Sequence, residues 1–369
     1  MTHRVSIIGS GNAGLTAAYH FTKHGADVCL YGSPGFDQPL QDIEQRGGIE
    51  ALGDFNEVEL TFAGFEPIDK ISRDLGETLA YADILVLPVP SFAQEPLFID
   101  MLPHLRDGQV IMLMPGNYGS LVLNRIKHEQ GYGQLDITFV DAISIPWATR
   151  IVGPAQLAIL GMKEFLPVAA FPATRTQEAI NALKEVMPLP LTPLKNVIEA
   201  GLENINFGGH PLLTTLNMGL LENFDGQFNY YKDCCSVSTA KAAAVMEKER
   251  LAIGELLGLT LKPELDAMNA LYGMDCKTVY EVNRTSETHG KLNSAPNSAS
   301  NRYITEDAAY LLVPCYELAQ LTGVEAPMIT ACLHIDNAYN DTDYFTTGRT
   351  LKKMGLDNLS AQEIMDFVA

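Results

Sequence analysis

The sequence has no apolar run as long as a membrane span, no Cys-x-x-Cys pair, no His-Glu-x-x-His, and few basic residues. Each absence excludes something. Without a long apolar run, no membrane-spanning helix is expected. Lys and Arg total 25 against 45 Asp and Glu, a formal net charge of −20. Such a surface repels nucleic acid and anionic lipid, because both need a basic face to neutralise phosphate. The six cysteines, Cys29, Cys234, Cys235, Cys276, Cys315 and Cys332, lie mostly in apolar surroundings and read as core thiols. No metal site is expected from them or from any cysteine–histidine cluster. The start, Met1-Thr2-His3-Arg4, leads straight into a strand pattern, so no signal peptide is expected and a soluble, cytoplasmic protein follows. What remains is a chain of 369 residues, 47% hydrophobic, long enough for two domains that each bury a core.

The most informative stretch is near the start, Val5-Ser6-Ile7-Ile8-Gly9-Ser10-Gly11-Asn12-Ala13-Gly14 followed by Leu15-Thr16-Ala17-Ala18. An apolar strand breaking into Gly-x-Gly-x-x-Gly and then into helix formers is the pattern of a dinucleotide-binding turn. Gly9 permits the turn, Gly11 lets bare backbone approach a pyrophosphate, and Gly14 lets helix pack on strand. The amino end of the helix, with its unpaired N–H groups, faces the phosphates. A second strand, Asp27 to Tyr31, completes the unit. It ends in Gly32-Ser33-Pro34-Gly35, where a ribose-binding carboxylate is usual, so the residues leave NAD and NADP both open. Asp37 is within sequence reach of a ribose, and Ser33 with Arg46 of a 2′-phosphate; each is also an ordinary loop or helix residue.

The run Ala82 to Pro90 is continuously apolar, as in a strand buried on both faces of a parallel sheet. Ser91 then opens a helix, as its N-cap or as a cofactor contact beside Pro90. A further strand, Gly108 to Met114, ends in Pro115-Gly116-Asn117, where open α/β sheets hold ligands, so Asn117 is a second cofactor candidate. Val152 to Leu160 and Val168 to Phe171 read as two closing strands. Pro188 to Pro193 reads as a stiff extended linker, after which helical periodicity takes over, with Asn196 to Asn223 and Val237 to Leu257 as long amphipathic stretches. The expected architecture is an α/β Rossmann-type NAD(P)-binding domain, residues 1–193, followed by an all-α substrate and catalytic domain, residues 194–369. A polar segment from Thr285 to Ser300 is expected as a long loop.

Two spots in the helical half carry chemistry: His210 before Pro211, and Asn301-Arg302-Tyr303-Ile304-Thr305-Glu306-Asp307. A His–Asp pair suits proton transfer, and an arginine suits a substrate carboxylate. By residue type alone, His210 is equally a satisfied buried histidine and Arg302 half of a surface ion pair.

These segments, with Gly9-Ser10-Gly11-Asn12-Ala13, Ala82 to Ala93 and Pro146-Trp147-Ala148-Thr149-Arg150, resemble the opine dehydrogenase family over essentially the whole chain. The resemblance implies His210 and Asp307 as the catalytic pair and Arg302 in substrate binding, with Trp147 and Arg150 as further candidates. It implies NAD as cofactor, with NADP possible, and small-molecule substrates, a 2-oxo acid such as pyruvate and an L-amino acid, joined by NAD(P)H-dependent reductive condensation. A monomer or homodimer is expected. The alternative is a single-substrate 2-oxo-acid reductase of the ketopantoate reductase or glycerol-3-phosphate dehydrogenase type; such enzymes rely on a lysine, for which Lys195, Lys232 and Lys241 are available.

Overall fold

The computed structural model describes residues 3–291 and 294–369. Leu292 and Asn293, inside the expected polar loop, lie outside the described residues, as do Met1 and Thr2. The chain forms two compact units, one up to Val197 and one from Ile198 to Ala369.

The first unit is built on an eight-stranded sheet. Its central strand, His3–Ile8, is buried over its last four residues and pairs in parallel with Ala26–Tyr31 on one side and Ile84–Leu87 on the other. Lys70–Ser72 lies outside Ala26–Tyr31, while Gln109–Leu113 and Ile137–Ala142 continue the parallel order beyond Ile84–Leu87. The order therefore reverses between the first and fourth strands of the fold. That reversal leaves a crevice at the strands' carboxyl ends, the usual ligand position in such sheets. Leu166–Phe171 closes the sheet antiparallel to Ile137–Ala142.

Two expectations for this unit do not hold. The segment 152–160 is not one strand of this sheet: Trp147–Gly153 and Gln156–Met162 form an antiparallel hairpin in a separate four-stranded sheet with Ile49–Ala51 and Gly64–Glu66. The turn at Ala155, with φ 52°, breaks the apolar run. The proline-rich linker is also part of the fold, since Leu191–Pro193 pairs in parallel with Leu166–Val168. Proline is tolerated there because this strand is the edge of the sheet.

The second unit is helical. Asn196 to Asn223 is not one long helix but four short ones, Val197–Leu202, Asn206–Gly209, Pro211–Leu216 and Met218–Asn223. Pro211 explains the central break: it cannot donate to a preceding turn, and it starts a new helix at its first position. Val237–Leu256 is the long helix of the unit, begun by a capping box in which the Ser236 and Thr239 side chains satisfy each other's backbone N–H groups. The segment Arg302–Asp307 runs directly into a π-helical turn, Ala308–Leu312, and then into Val313–Thr322. The expected loop 285–300 contains a short helix, Glu287–Gly290.

Candidate functional site

The first group of candidate residues gathers at the carboxyl ends of three adjacent strands. The glycine turn follows the central strand, and the helix Asn12–Lys23 starts directly after Gly11. The three glycines are required for different reasons. Gly9 has φ +128°, and a Cβ on it would stand 2.7 Å from Val89 Cγ1. A Cβ on Gly14 would lie 1.9 Å from the Gly9 carbonyl oxygen. Gly11 is bounded by nothing within 4 Å and has an ordinary backbone, so neither packing nor strain accounts for glycine there. An open surface over bare backbone at a helix amino end is what a pyrophosphate occupies. The first unit thus fits a dinucleotide.

Ser10 and Asn12 brace the turn. The Ser10 hydroxyl donates to the Phe36 carbonyl at 3.3 Å, and the Asn12 amide donates to the Thr149 carbonyl at 2.8 Å. Ala13 is half-buried on the first helical turn. On the neighbouring strands, Pro90 precedes the helix Ser91–Met101 and is its N-cap residue, so Ser91 is not the cap. The buried Ser91 hydroxyl instead accepts a 2.9 Å bond from the Asn117 side chain. Asn117 sits at φ 52°, a conformation asparagine tolerates better than most residues, and this bond ties together the loops after Ile84–Leu87 and Gln109–Leu113. The structure therefore brings Gly9, Ser10, Gly11, Asn12, Ala13, Gly14, Pro90, Ser91 and Asn117 to one end of the sheet.

Trp147 lies elsewhere. It is 2% exposed in the second sheet, packed on the outer face of helix Asn12–Lys23, with its ring stacked on His20 at 5.8 Å and against Phe21. Burial, with Lys23 and His24 nearby, pushes the His20 imidazole down to about 4, so this layer is neutral and apolar in character. Its position describes packing. Arg150, three residues on, is half-buried and donates to the Thr149 carbonyl at 2.8 Å, the same oxygen that Asn12 holds. Its guanidinium therefore stands beside the start of the glycine-turn helix, with no carboxylate within 4 Å among the described residues.

The second group lies in the helical unit. His210 occupies the break between Asn206–Gly209 and Pro211–Leu216, and its Nδ1 is 2.9 Å from Asp307 Oδ2. The side chains are 11% and 6% exposed. Asp307 is the last residue before the π-helical turn; such turns often occur at functional positions because they re-aim side chains. Burial pushes the Asp307 carboxyl well up, Glu306 adds to this, and Arg302 opposes it. The other ring nitrogen, Nε2, is 3.0 Å from the Tyr231 hydroxyl, and the imidazole lies flat on Tyr303 with ring centres 3.7 Å apart. Burial raises the Tyr231 phenol far above its ordinary range, so it keeps its proton. With Nδ1 donating to the Asp307 carboxylate, Nε2 of a neutral imidazole is the nitrogen left to accept a proton. Tyr230 locks the backbone by donating to the His210 carbonyl at 3.0 Å. Arg302 is 62% exposed and bonds Glu306 through Nε at 2.8 Å.

Residues 193–340 match the family model described as the NAD/NADP octopine/nopaline dehydrogenase alpha-helical domain. Over 364 residues the chain is 28% identical to opine dehydrogenase from Arthrobacter sp. (strain 1C), with 98% of each chain covered. The chain is thus similar to opine dehydrogenases over its whole length and carries their helical domain. Among solved structures, octopine dehydrogenase with NADH and L-arginine superposes with a TM-score of 0.77 at 19% identity, covering 99% of this chain and 98% of that one. Yersinopine dehydrogenase with NADP+ bound gives 0.71 at 15% identity, covering 96% and 97%. At these identities the likeness is one of fold, and it extends to the α/β and helical halves alike.

Sequence reasoning missed the aromatic enclosure of His210. Tyr231 and Tyr303 were present as residues, but nothing in their spacing announced a shared ring. The adjacent Tyr230-Tyr231 pair at the start of a short helix, and the tyrosine inside the Arg-Tyr-x-Thr-Glu-Asp segment, were the available signals.

Proposed function

We propose that this enzyme reductively condenses the amino group of an L-amino acid with a small 2-oxo acid such as pyruvate, and runs the reverse oxidation, with NAD as coenzyme and NADP as a possible substitute. The observation that carries this reading is the buried His210–Asp307 pair with Tyr231 on its outer nitrogen. The glycine turn, Pro90, Ser91 and Asn117 hold the coenzyme. When bound, it supplies the hydride that reduces the carbon–nitrogen double bond.

Condensation needs a base to free the amine and an acid to help water leave, and one histidine serves both in turn. His210 accepts a proton at Nε2 once the substrate nitrogen displaces the Tyr231 hydroxyl. Asp307 keeps the Nδ1 proton in place and stabilises the imidazolium that results. Tyr303 holds the ring plane. Arg302 meets Glu306 through Nε and is 62% exposed, so its guanidinium is open to a substrate carboxylate. Arg150 is the second cation available to an anionic group of the bound ligands. Trp147 supports the layer that carries Arg150.

The lysines that a single-substrate reductase would draw on, Lys195, Lys232 and Lys241, are exposed, whereas His210 and Asp307 are buried and bonded to each other. Among the described residues no group of three metal-ligating side chains forms a cluster, and no helix is long and apolar enough to cross a membrane. We place the enzyme in the cytoplasm, as a monomer or homodimer. The test is coenzyme oxidation with a panel of 2-oxo acids, each with and without L-amino acids. The proposal expects turnover only with both substrates present. Full-rate reduction of an oxo acid without an amine would replace it with the reductase alternative.

A further inference from the structure

The adenosine end of the dinucleotide site carries an ion cluster that the proposed reaction does not use. Arg73 is the first residue after the strand Lys70–Ser72, and Ser72 is in register with Tyr31 at the end of the neighbouring strand. Gly32 N–H donates to the Ser72 carbonyl, so Arg73 emerges beside the loop that follows the second strand. In a fold of this strand order, that loop meets the adenosine ribose, where a carboxylate takes the 2′-hydroxyl or an arginine takes a 2′-phosphate. Here both residue types are present and they hold each other. Asp37 bonds Arg73 Nε, and Glu44 grips the two terminal nitrogens at 2.7 and 3.1 Å. The pull is mutual: Arg73 lowers both carboxyls, and they raise the guanidinium.

Arg46 is not a free substitute, since it is bonded to Glu50 at 2.6 Å and to the Pro154 carbonyl. The loop itself is tied to the glycine turn through Ser10 and Phe36. The cluster therefore has one cation against two anions, at 42–47% side-chain exposure, on a loop fastened to the cofactor turn.

We propose that the Asp37–Arg73–Glu44 cluster selects the coenzyme: it disfavours a 2′-phosphate by neutralising Arg73 and surrounding it with negative charge, and so sets a preference for NADH over NADPH. The inference rests on the dinucleotide reading of the first unit. A ribose hydroxyl donates to a carboxylate at little cost, but a phosphate carries two negative charges and is repelled by each of two carboxylates. Neutralising the carboxylates without removing them leaves Arg73 a cation with its fork available. Arg73 then changes from a tethered residue to a phosphate ligand.

The test is the dissociation constant of NADH and of NADPH, by nucleotide fluorescence, for the wild type, Glu44→Gln, the double variant D37N/E44Q, and that double variant with Arg73→Ala. The wild type is expected to prefer NADH. A phosphate dianion a few Å from a unit charge in water responds to its removal by about tenfold in affinity, so the double variant should shift the NADPH-to-NADH ratio by about tenfold or more. Glu44→Gln alone should give part of that shift, NADH affinity should stay within about threefold, and adding Arg73→Ala should cancel the gain. An unchanged ratio in the double variant, a gain that survives loss of Arg73, or a wild type that already prefers NADPH would overturn the proposal. Wild-type protein that binds neither coenzyme would overturn the dinucleotide reading as well, whereas NADH binding without a shift overturns only the selection.

Discussion

Asp307→Asn separates the proton relay from the packing around it. The replacement keeps the size and planarity of the side chain in a site that is 6% exposed, so no cavity opens. The Asn amide, however, now donates towards His210 Nδ1 across the 2.9 Å line, and the imidazole must carry its proton on Nε2. That nitrogen is the one facing Tyr231, where a substrate proton has to be received. With the wrong nitrogen protonated and no carboxylate to stabilise the cation, general base assistance is lost, about 10²- to 10⁴-fold in turnover. Stability should move the other way. Burial holds the Asp307 carboxyl well above its ordinary range, so ionising it destabilises the fold. This destabilisation is absent below the unfolded carboxyl's range and complete once pH exceeds the raised value. At pH 8 the neutral amide should therefore melt no lower than the wild type. The assay is coenzyme oxidation with a 2-oxo acid and amino acid pair, beside a calorimetric melt and a coenzyme titration. A fall in turnover matched by a comparable loss of melting temperature or coenzyme affinity would refute the relay and leave the pair as structure.

Three further outcomes follow from the geometry. Gly11→Val should fold normally, because nothing lies within 4 Å of the new Cβ, yet lose nucleotide binding by calorimetry; unchanged affinity would remove the pyrophosphate from this turn. Trp147→Leu should cost about 2 kcal/mol or more in denaturant melts by loosening the layer over helix Asn12–Lys23, with the Michaelis constants of the remaining folded enzyme unchanged; a raised constant at unchanged stability would return Trp147 to the substrate site. Burial and Glu247 push the Glu264 carboxyl from 4.5 up to about 7, so its ionisation costs stability progressively between those values and fully above them. Glu264→Gln should then raise the melting temperature at pH 8 and not at pH 4.5, and a gain of equal size at both would mean that charge is not the cause.

The parts of the fold legible in the sequence are those written locally. An apolar strand, three glycines and a helix lie within one continuous stretch, and the structure shows a separate physical reason for each glycine. Helix breaks were less visible, because apolar spacing carries across Pro211 although the backbone cannot. The segment 152–160 reads as a closing strand but belongs to a hairpin of the second sheet, because β-strand pattern says nothing about which sheet a strand joins. For the same reason Trp147 reads as a ligand contact in a motif and as packing in three dimensions: its neighbours, His20 and Phe21, are far away in sequence. His210 and Asp307 stand 97 positions apart, and only resemblance to a family suggested pairing them. Tyr231 on Nε2 had no such signal. The Arg73 cluster was equally hidden, since Asp37, Glu44 and Arg73 look like ordinary surface charges until the register of two strands sets them together.

In the proposed reaction hydride goes to a carbon being joined to nitrogen, not to a simple carbonyl. The direct measurement is mass spectrometry of the product formed from pyruvate, an accepted L-amino acid and NADH carrying deuterium at the transferring position. The expected product is a secondary amine dicarboxylate, heavier by one deuterium located on the carbon that was the oxo carbon of pyruvate, with no product when the amino acid is omitted. Deuterated lactate, formed at the same rate with or without the amine, would contradict it.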